Sequence, residues 1–248
     1  MTGPALRVRD CGGHVELELA AAERGNPLAP DLVGPLLAAV RAAEHNPACR
    51  ALLMSATGPI FCSGLDLAGG HGWLAEQAGM PVWRLFDQLR TAQVVTVALV
   101  DGAAIGGGVA LAAACDLVIA GETATFQLTE ALLGLVPGMA IPFVADRVGE
   151  QQAFRMALTA RRVGAKEAAR LGLADEICPR AQDGARPLLV QLRRVTPDTV
   201  RALKRLRSQL FGRPARLAET AAQASLARLT DPAVTAHLRG LREAGVLP

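Results

Sequence analysis

The first half of the chain alternates short apolar runs with stretches of helical period. Segment 14–20 (HVELELA) alternates valine and leucine with glutamate, which is typical of a strand with one face in water. Segments 50–56 (RALLMSA) and 94–100 (VVTVALV) are almost entirely apolar, which predicts strands buried on both faces. Glycines and then sequence of helical period follow each of them. This order predicts an α/β fold in which helices cover a sheet.

A helix is predicted from about Asp31, because apolar residues recur behind it with helical spacing. These apolar positions are Leu32, Leu36, Val40 and Ala43. The Asp31 side chain is expected to cap the first turn.

From about residue 151 the pattern becomes almost wholly helical, and prolines separate the segments. We therefore divide the chain into a core, residues 1–190, and a helical C-terminal region, residues 191–248. The C-terminal region carries eleven Lys and Arg against four Asp and Glu, although the whole chain is only +3. A solvated helical face is the simple interpretation of this charge. The alternative is that segment 201–216, with Lys204, Arg205 and Arg207, docks an acidic partner.

Composition narrows the classes of function. Apolar residues make up 51% of the chain and charged residues 20%, as in a globular protein. Tyrosine is absent and aromatics reach 3%, so no platform for stacking nucleic-acid bases is expected. The five cysteines include no C-x-x-C pair and are expected to be small buried hydrophobes without a disulfide or zinc site. No segment has the length of a membrane span, which predicts a cytoplasmic protein without a membrane partner.

Two glycine-rich segments follow predicted strands. Segment 102–120 (GAAIGGGVALAAACDLVIA) places three glycines at the start of a helix, where backbone N–H groups are open to a ligand. Its spacing differs from the G-x-G-x-x-G of dinucleotide-binding folds. Segment 58–70 (GPIFCSGLDLAGG) offers Gly64 in the same position after another strand. Two such N–H groups at neighbouring strand ends can form an oxyanion hole, which stabilises a carbonyl oxygen as it gains charge.

Glu130 is the lone acidic residue of the apolar segment 126–138 (FQLTEALLGLVPG). Apolar surroundings disfavour a charged carboxylate and move its pKa toward the range of a general acid or base.

Taken in order, GPIFCSGLDL (58–67), DGAAIGGGVALAAACDLVIA (101–120) and FQLTEALLGLVPG resemble the three signature blocks of the enoyl-CoA hydratase/isomerase (crotonase) superfamily. The resemblance implies a spiral of β-β-α units followed by a C-terminal helical trimerisation region. It implies a homotrimer or hexamer that needs no cofactor or metal. It also implies that the N–H groups of Leu65 and Gly107 form the oxyanion hole and that Glu130 is catalytic. Where hydratases of the family carry a second glutamate, this chain has Ala110.

The candidate substrate-binding residues lie in or near these blocks: Ser63, Gly64, Asp66, Gly106, Thr129, Pro137, Gly138 and Arg84. Arg84 is a candidate partner for a distant substrate carboxylate, because guanidinium pairs with carboxylates in a bidentate manner. Its alternative is a surface charge on an amphipathic helix. Asp66 is as well explained as a helix cap. His71 is as well explained as a solvated loop residue.

Segments 126–158 and 238–248 (LRGLREAGVLP) are similar to the dehydratases of polyketide β-branching cassettes. This implies dehydration of a 3-hydroxy-3-methylglutaryl group on an acyl carrier protein, giving a 3-methylglutaconyl product. Two alternatives stay open. One is an isomerase or hydratase acting on CoA thioesters, and the other is a non-catalytic binding homologue.

Overall fold

The structure is a computed structural model that describes residues 3–67 and 80–245. Within these ranges the chain forms ten β-strands and ten α-helices. The strands are β1 Leu6–Asp10, β2 His14–Leu19, β3 Ala51–Ala56, β4 Ile60–Cys62, β5 Val95–Val100, β6 Ala103–Ile105, β7 Leu117–Gly121, β8 Thr125–Gln127, β9 Val163–Gly164 and β10 Glu176–Cys178. The helices are α1 Pro30–His45, α2 Met80–Thr91, α3 Gly107–Ala113, α4 Ile141–Val148, α5 Glu150–Thr159, α6 Ala165–Leu171, α7 Ala181–Leu192, α8 Pro197–Leu210, α9 Ala215–Leu229 and α10 Pro232–Glu243.

The strands are divided between two sheets. The larger sheet has the order β1-β2-β3-β5-β7-β10, and the smaller has the order β4-β6-β8-β9. The pairs are parallel except for β1 with β2 and β8 with β9. Consecutive strands such as β5 and β6 therefore lie in different sheets, and a helix follows each of the pairs β5–β6 and β7–β8. This arrangement confirms the predicted spiral of β-β-α units.

The predicted strands and their burial are confirmed. In β2, Val15, Leu17 and Leu19 point into the core while the intervening residues are partly exposed. The central strands β3 and β5 are buried on both faces, because α7 covers the second face of the sheet with Ala181 and Ala185. The alternating and uniform apolar patterns thus distinguish a strand near the edge from strands covered by helices on both sides.

Helix α1 has the predicted apolar face, but its start differs from the prediction. Leu32, Leu36, Val40 and Ala43 are all buried. The helix begins at Pro30, so its cap position is Ala29, which has no side-chain acceptor; Asp31 lies inside the first turn, where its carboxylate pairs with Arg24 at 2.5 Å. The predicted Asp31 cap is therefore wrong, and proline supplies the helical φ at this terminus.

The C-terminal part is mainly helical, as predicted, with two short strands that the sequence pattern did not reveal. Strand β9 joins the smaller sheet, and β10 completes the larger one beside β7. Both are at most three residues long, too short to show a period. The boundary predicted after residue 190 falls in the last turn of α7, which packs on the larger sheet.

Buried ion pairs attach the C-terminal helices to the core. The Lys204 ammonium of α8 donates to both carboxylate oxygens of Asp116, at 2.7 and 2.5 Å, and Arg207 approaches the same carboxylate at 3.1 Å. The Thr96 N–H and hydroxyl also bind this carboxylate. Burial lowers the pKa of Lys204, and Asp116 opposes that shift. Lys204 therefore holds α8 in place and is not available to dock a partner, which corrects that interpretation for this residue.

The cysteines do not share one environment. Cys49, Cys62 and Cys115 are buried as predicted, and burial raises the pKa of Cys62 and Cys115 to about 12. Cys178 is partly buried and Cys11 is exposed. The prediction of a buried hydrophobe is therefore wrong for Cys11, which lies beside a turn at the edge of the sheet.

No helix in the two described ranges combines the length and the hydropathy that crossing a membrane requires.

Replacing Lys204 by Met should lower the free energy of unfolding by about 2 kcal/mol, because the partly buried Asp116 loses its ammonium partner and keeps only Arg207 and Thr96. Urea unfolding at one fixed protein concentration measures this loss. Arg205→Met is the matched control, since Arg205 is exposed on the same helix, and its effect should stay within about 0.5 kcal/mol. Equal losses in the two variants would contradict a structural role for the buried pair.

Candidate active site

The segment after β4 turns the N–H of Leu65 away from Leu28, its partner in an isolated β-bridge. Leu28 and Leu65 form a parallel bridge, in which the Leu28 N–H donates to the Gly64 carbonyl at 2.7 Å. The Asp66 N–H donates back to the Leu28 carbonyl at 3.3 Å. Because alternate backbone groups of an extended segment point to opposite sides, the Leu65 N–H points away from Leu28.

The segment after β6 brings a second N–H to this point. Gly107 is the first residue of α3, so its N–H has no acceptor within the helix. The backbones of the two segments are in close contact, since a Cβ on Gly64 would lie 3.0 Å from the Gly107 nitrogen. Gly64 also has a φ of 86°, which side chains rarely adopt. Glycine is thus required where the two strand ends meet, and Leu65 and Gly107 both line the cavity beside them.

Glu130 faces the same cavity from a 3₁₀ helix, Glu130–Leu133, that follows β8. A Cβ on Gly106 would lie 3.0 Å from the Oε1 atom of Glu130, and Gly106 has a φ of 53°. The Oε2 atom is buried and has no hydrogen-bond partner among the described residues. Burial raises the pKa of Glu130 to about 7, and its own backbone N–H opposes the shift to a smaller extent. The predicted perturbation of this carboxylate is confirmed.

The rest of the cavity, about 40 Å³ in volume, has an almost entirely apolar wall. The wall comes from α2, from the segment between the 3₁₀ helix and α4, and from α9: Val82, Phe86, Leu135, Val136, Pro137, Met139, Ala140, Ser225, Leu226 and Leu229. The Ser225 hydroxyl is occupied, because it accepts from the Met139 N–H at 3.2 Å and donates to the Val136 carbonyl at 3.3 Å. The cavity therefore presents two backbone N–H groups and one carboxylate in apolar surroundings.

Ala110 lies on α3 and is fully buried in the core. Its methyl group can neither activate water nor carry a proton, and Ala110 is not among the described residues that line the cavity. The arrangement can acidify a carbon next to a thioester carbonyl, because the two N–H groups stabilise the charge that develops on the oxygen.

The structure brings some of the predicted site residues to the cavity and leaves others away from its wall. Leu65, Gly107, Glu130 and Pro137 line it. Gly64 and Gly106 shape it from behind through the close contacts described above. Thr129 directly precedes the 3₁₀ helix and is partly buried.

The remaining candidates have other surroundings. The Ser63 N–H donates to the Gly25 carbonyl, and Asp66 takes part in the bridge with Leu28. Gly138 lies against α9, where a Cβ would come within 2.9 Å of the Ser225 hydroxyl oxygen. Arg84 is exposed on α2, away from the cavity wall. His71 lies outside the described residues.

The sequence interpretation missed the wall that α2 and α9 provide. Val82 and Phe86 of α2, and Leu226 and Leu229 of α9, occupy ordinary apolar positions of amphipathic helices. Such positions are the same in a helix that covers a core and in a helix that lines a cavity. No signal in the sequence separates the two cases.

Comparison with known proteins shows similarity along most of the chain. A family model described as enoyl-CoA hydratase/isomerase matches residues 12–233. The chain is 36% identical over 209 residues to an enoyl-CoA hydratase-type protein of Thermus thermophilus, covering 81% of this chain and 83% of that protein. It is 31% identical over 178 residues to the bacillaene synthase dehydratase PksH of Bacillus subtilis, covering 70% and 69%. A crystal structure of the Bacillus subtilis polyketide biosynthesis enoyl-CoA hydratase PksH matches with a TM-score of 0.91 at 26% identity, over 98% of both chains.

Glu130→Gln should stabilise the protein at about pH 8 and have little effect at about pH 5. Between about pH 4.5 and 7 the unfolded chain releases the Glu130 proton while the folded chain retains it, so stability falls as pH rises through this window. The penalty is about 3 kcal/mol above pH 7, and the neutral amide does not incur it.

Thermal unfolding of both proteins at the two pH values measures this difference. Glu122→Gln is the control, because Glu122 is exposed and should show no gain at either pH. A stability difference that does not change with pH would contradict a raised pKa at Glu130.

Proposed function

The chain belongs to the enoyl-CoA hydratase/isomerase family, and we propose that it dehydrates a 3-hydroxy-3-methylglutaryl thioester carried by an acyl carrier protein. The product is the 3-methylglutaconyl thioester, as in polyketide β-branching. The relatives reported above are named hydratases and dehydratases, which are lyases.

The observation that carries the proposal is one buried carboxylate facing two backbone donors, with a methyl group where hydratases have a second carboxylate. Glu130 supplies the carboxylate, Leu65 and Gly107 supply the donors, and Ala110 supplies the methyl group. Hydration by two carboxylates needs one group to activate water and another to protonate carbon. With one carboxylate, dehydration or its reverse requires that same group to serve both adjacent carbons in turn, and Glu130 is placed to do so.

The reaction begins when the thioester oxygen accepts hydrogen bonds from the N–H groups of Leu65 and Gly107. The Glu130 carboxylate removes a proton from the carbon next to the carbonyl, and the electron pair moves onto the oxygen as an enolate. The enolate then collapses to form the carbon–carbon double bond while the bond to the β-hydroxyl breaks. Protonated Glu130 gives its proton to the departing hydroxyl, so water leaves and the carboxylate is restored.

The pKa of Glu130 suits both halves of this cycle. A pKa of about 7 leaves a substantial fraction ionised near neutral pH, so the group can act as the base. The same pKa makes the protonated form a donor strong enough to assist a leaving hydroxyl. The apolar wall keeps bulk water from competing for the enolate.

The name of the Bacillus subtilis relative, a bacillaene synthase dehydratase, supports an acyl carrier protein as the carrier. A CoA thioester is the second candidate, since the Thermus thermophilus relative is of the enoyl-CoA hydratase type. A non-catalytic binding role gives no reason for Glu130, because a buried carboxylate oxygen without a partner destabilises the fold.

An acidic carrier would meet the exposed part of the basic C-terminal region. Lys204 and Arg207 are engaged with Asp116, and Arg213 pairs with Asp146 at 2.7 Å. Arg205 and Arg216 are exposed. We place the docking contact on these outward-facing arginines, where ion pairs are weak individually and sensitive to salt.

We also propose that the chain assembles through α8. Leu203, Leu206 and Leu210 are exposed at spacings of three and four residues, and the exposed Phe211 follows them. A stripe of this kind on one helix face is typical of a surface that another subunit covers. This supports the homotrimer or hexamer that the resemblance implies.

Glu130→Gln should lower the dehydration rate by about a hundredfold or more, because the amide cannot accept the proton. Mass spectrometry of the intact loaded carrier protein measures the loss of one water. Glu122→Gln is the matched control and should dehydrate at the parent rate. Dehydration at the parent rate by the Glu130 variant would overturn the proposal.

The same assay separates the other functions. Higher catalytic efficiency on the CoA thioester than on the carrier would favour the CoA enzyme. Binding of both thioesters without turnover of either would identify a non-catalytic homologue.

Leu206→Glu should weaken assembly, because the stripe on α8 would then bury a charge between subunits. Light scattering at micromolar protein measures the mass. Gln209→Glu adds the same charge at another exposed position of α8 and should leave the mass unchanged. A parent protein that is an active monomer at this concentration would exclude the assembly.

A further inference from the structure

The hairpin formed by β1 and β2 places four side chains of metal-binding or charged type on one face. Its turn closes with the Cys11 N–H donating to the His14 carbonyl at 2.9 Å, and Arg9 is paired with Glu16 across the strands. Cross-strand partners share a face, and so do residues two apart along a strand. Cys11, His14 and Glu16 therefore lie on the same side of the hairpin, together with Arg9.

The donor atoms of three of these residues converge. The Cys11 Sγ, a ring nitrogen of His14 and a carboxylate oxygen of Glu16 lie within 4.8 Å of one another. Arg9 holds the Oε2 atom of Glu16 through its guanidinium, with the Nε at 2.9 Å. The other oxygen, Oε1, is turned toward the His14 Nε2 at 3.5 Å. Arg9 thus orients the carboxylate from outside, as partners of metal ligands commonly do.

A second cavity adjoins this cluster and is distinct from the active site. It measures about 400 Å³ and lies between the hairpin turn and the end of α7. Cys11, His14, Arg50 and Arg193 are among the residues that line it. None of the residues that line it also lines the cavity of Glu130.

The combination of donors selects the class of metal. Thiolate and imidazole are ligands of zinc and similar borderline-soft ions, and zinc also accepts a carboxylate. The thiolate and the carboxylate together balance the charge of a divalent ion, while neutral imidazole adds none. The C-x-x-H spacing across a tight turn brings the first two donors together.

We propose that Cys11, His14 and Glu16 bind one Zn²⁺ ion, with the fourth coordination position open to the adjoining cavity. The bound ion links β1 to β2 across the turn at the edge of the larger sheet. Arg50 and Arg193 give the open position a cationic surround, which suits water or a small anion as the fourth ligand. The site takes no part in the thioester chemistry, because it uses none of the residues around Glu130.

The test uses the full chain without an affinity tag, reduced with a non-chelating phosphine. Zn²⁺ binding is measured by competition with a chromophoric chelator, and Co²⁺ is added as a spectroscopic probe. We expect one Zn²⁺ per chain and a thiolate-to-cobalt charge-transfer band. Cys11→Ser should abolish the band, and His14→Gln and Glu16→Gln should each weaken Zn²⁺ binding about tenfold or more.

Two matched variants serve as controls. Glu18→Gln changes a carboxylate on the same face of β2, which pairs with Arg7, and Cys178→Ser removes another cysteine that is not fully buried. Both should bind Zn²⁺ as the parent does, and all five variants should keep the parent dehydration rate. Absence of Zn²⁺ binding in the parent, or binding that survives Cys11→Ser, would overturn the proposal.

Discussion

The backbone contact between the ends of β4 and β6 is the constraint on which the site depends. Gly64 and Gly107 approach so closely that a Cβ on the former would lie 3.0 Å from the nitrogen of the latter. This contact brings the N–H groups of Leu65 and Gly107 to one cavity, although the strands that carry them are separated along the chain by α2. The parallel pairing of β4 with β6 positions both ends at the same edge of the smaller sheet. The proposed oxyanion hole would therefore be a product of sheet topology, and glycine is needed to let the two backbones meet.

The burial of the Glu130 carboxylate, which faces the same cavity, destabilises the fold and at the same time raises the pKa of this group. Oε2 of Glu130 is buried without a partner, which costs folding free energy and raises its pKa to about 7. The rest of the fold has to supply that stability, and the C-terminal helices contribute to it. Lys204 attaches α8 to Asp116, and the Ser225 hydroxyl ties α9 to the Met139 N–H. Helix α9, which lines the cavity, is thus held by a hydrogen bond that does not involve Glu130, and α8 is held on the core away from the cavity.

In the basic C-terminal region, folding buries or pairs some cationic side chains and leaves others exposed. Its surplus of cations looks uniform along the sequence, yet the structure separates it into two groups. Lys204, Arg207 and Arg213 turn inward to Asp116 and Asp146 and hold the helices on the core. Arg205 and Arg216 face outward. Outward-facing cations such as these contribute to the electrostatic field that a molecule in solution meets.

The sequence by itself determined the elements whose pattern is local: the alternation of β2, the uniformly apolar β3 and β5, and the face of α1. It also revealed Glu130, because a lone acid in an apolar segment is visible without knowing the fold. Tertiary structure alone decided contacts between distant positions, such as Lys204 with Asp116, which are 88 residues apart. It likewise decided that α9 lines the cavity and that Cys11 is exposed beside His14. Periodicity reports which face of an element is buried, but it carries no information about what that face is buried against.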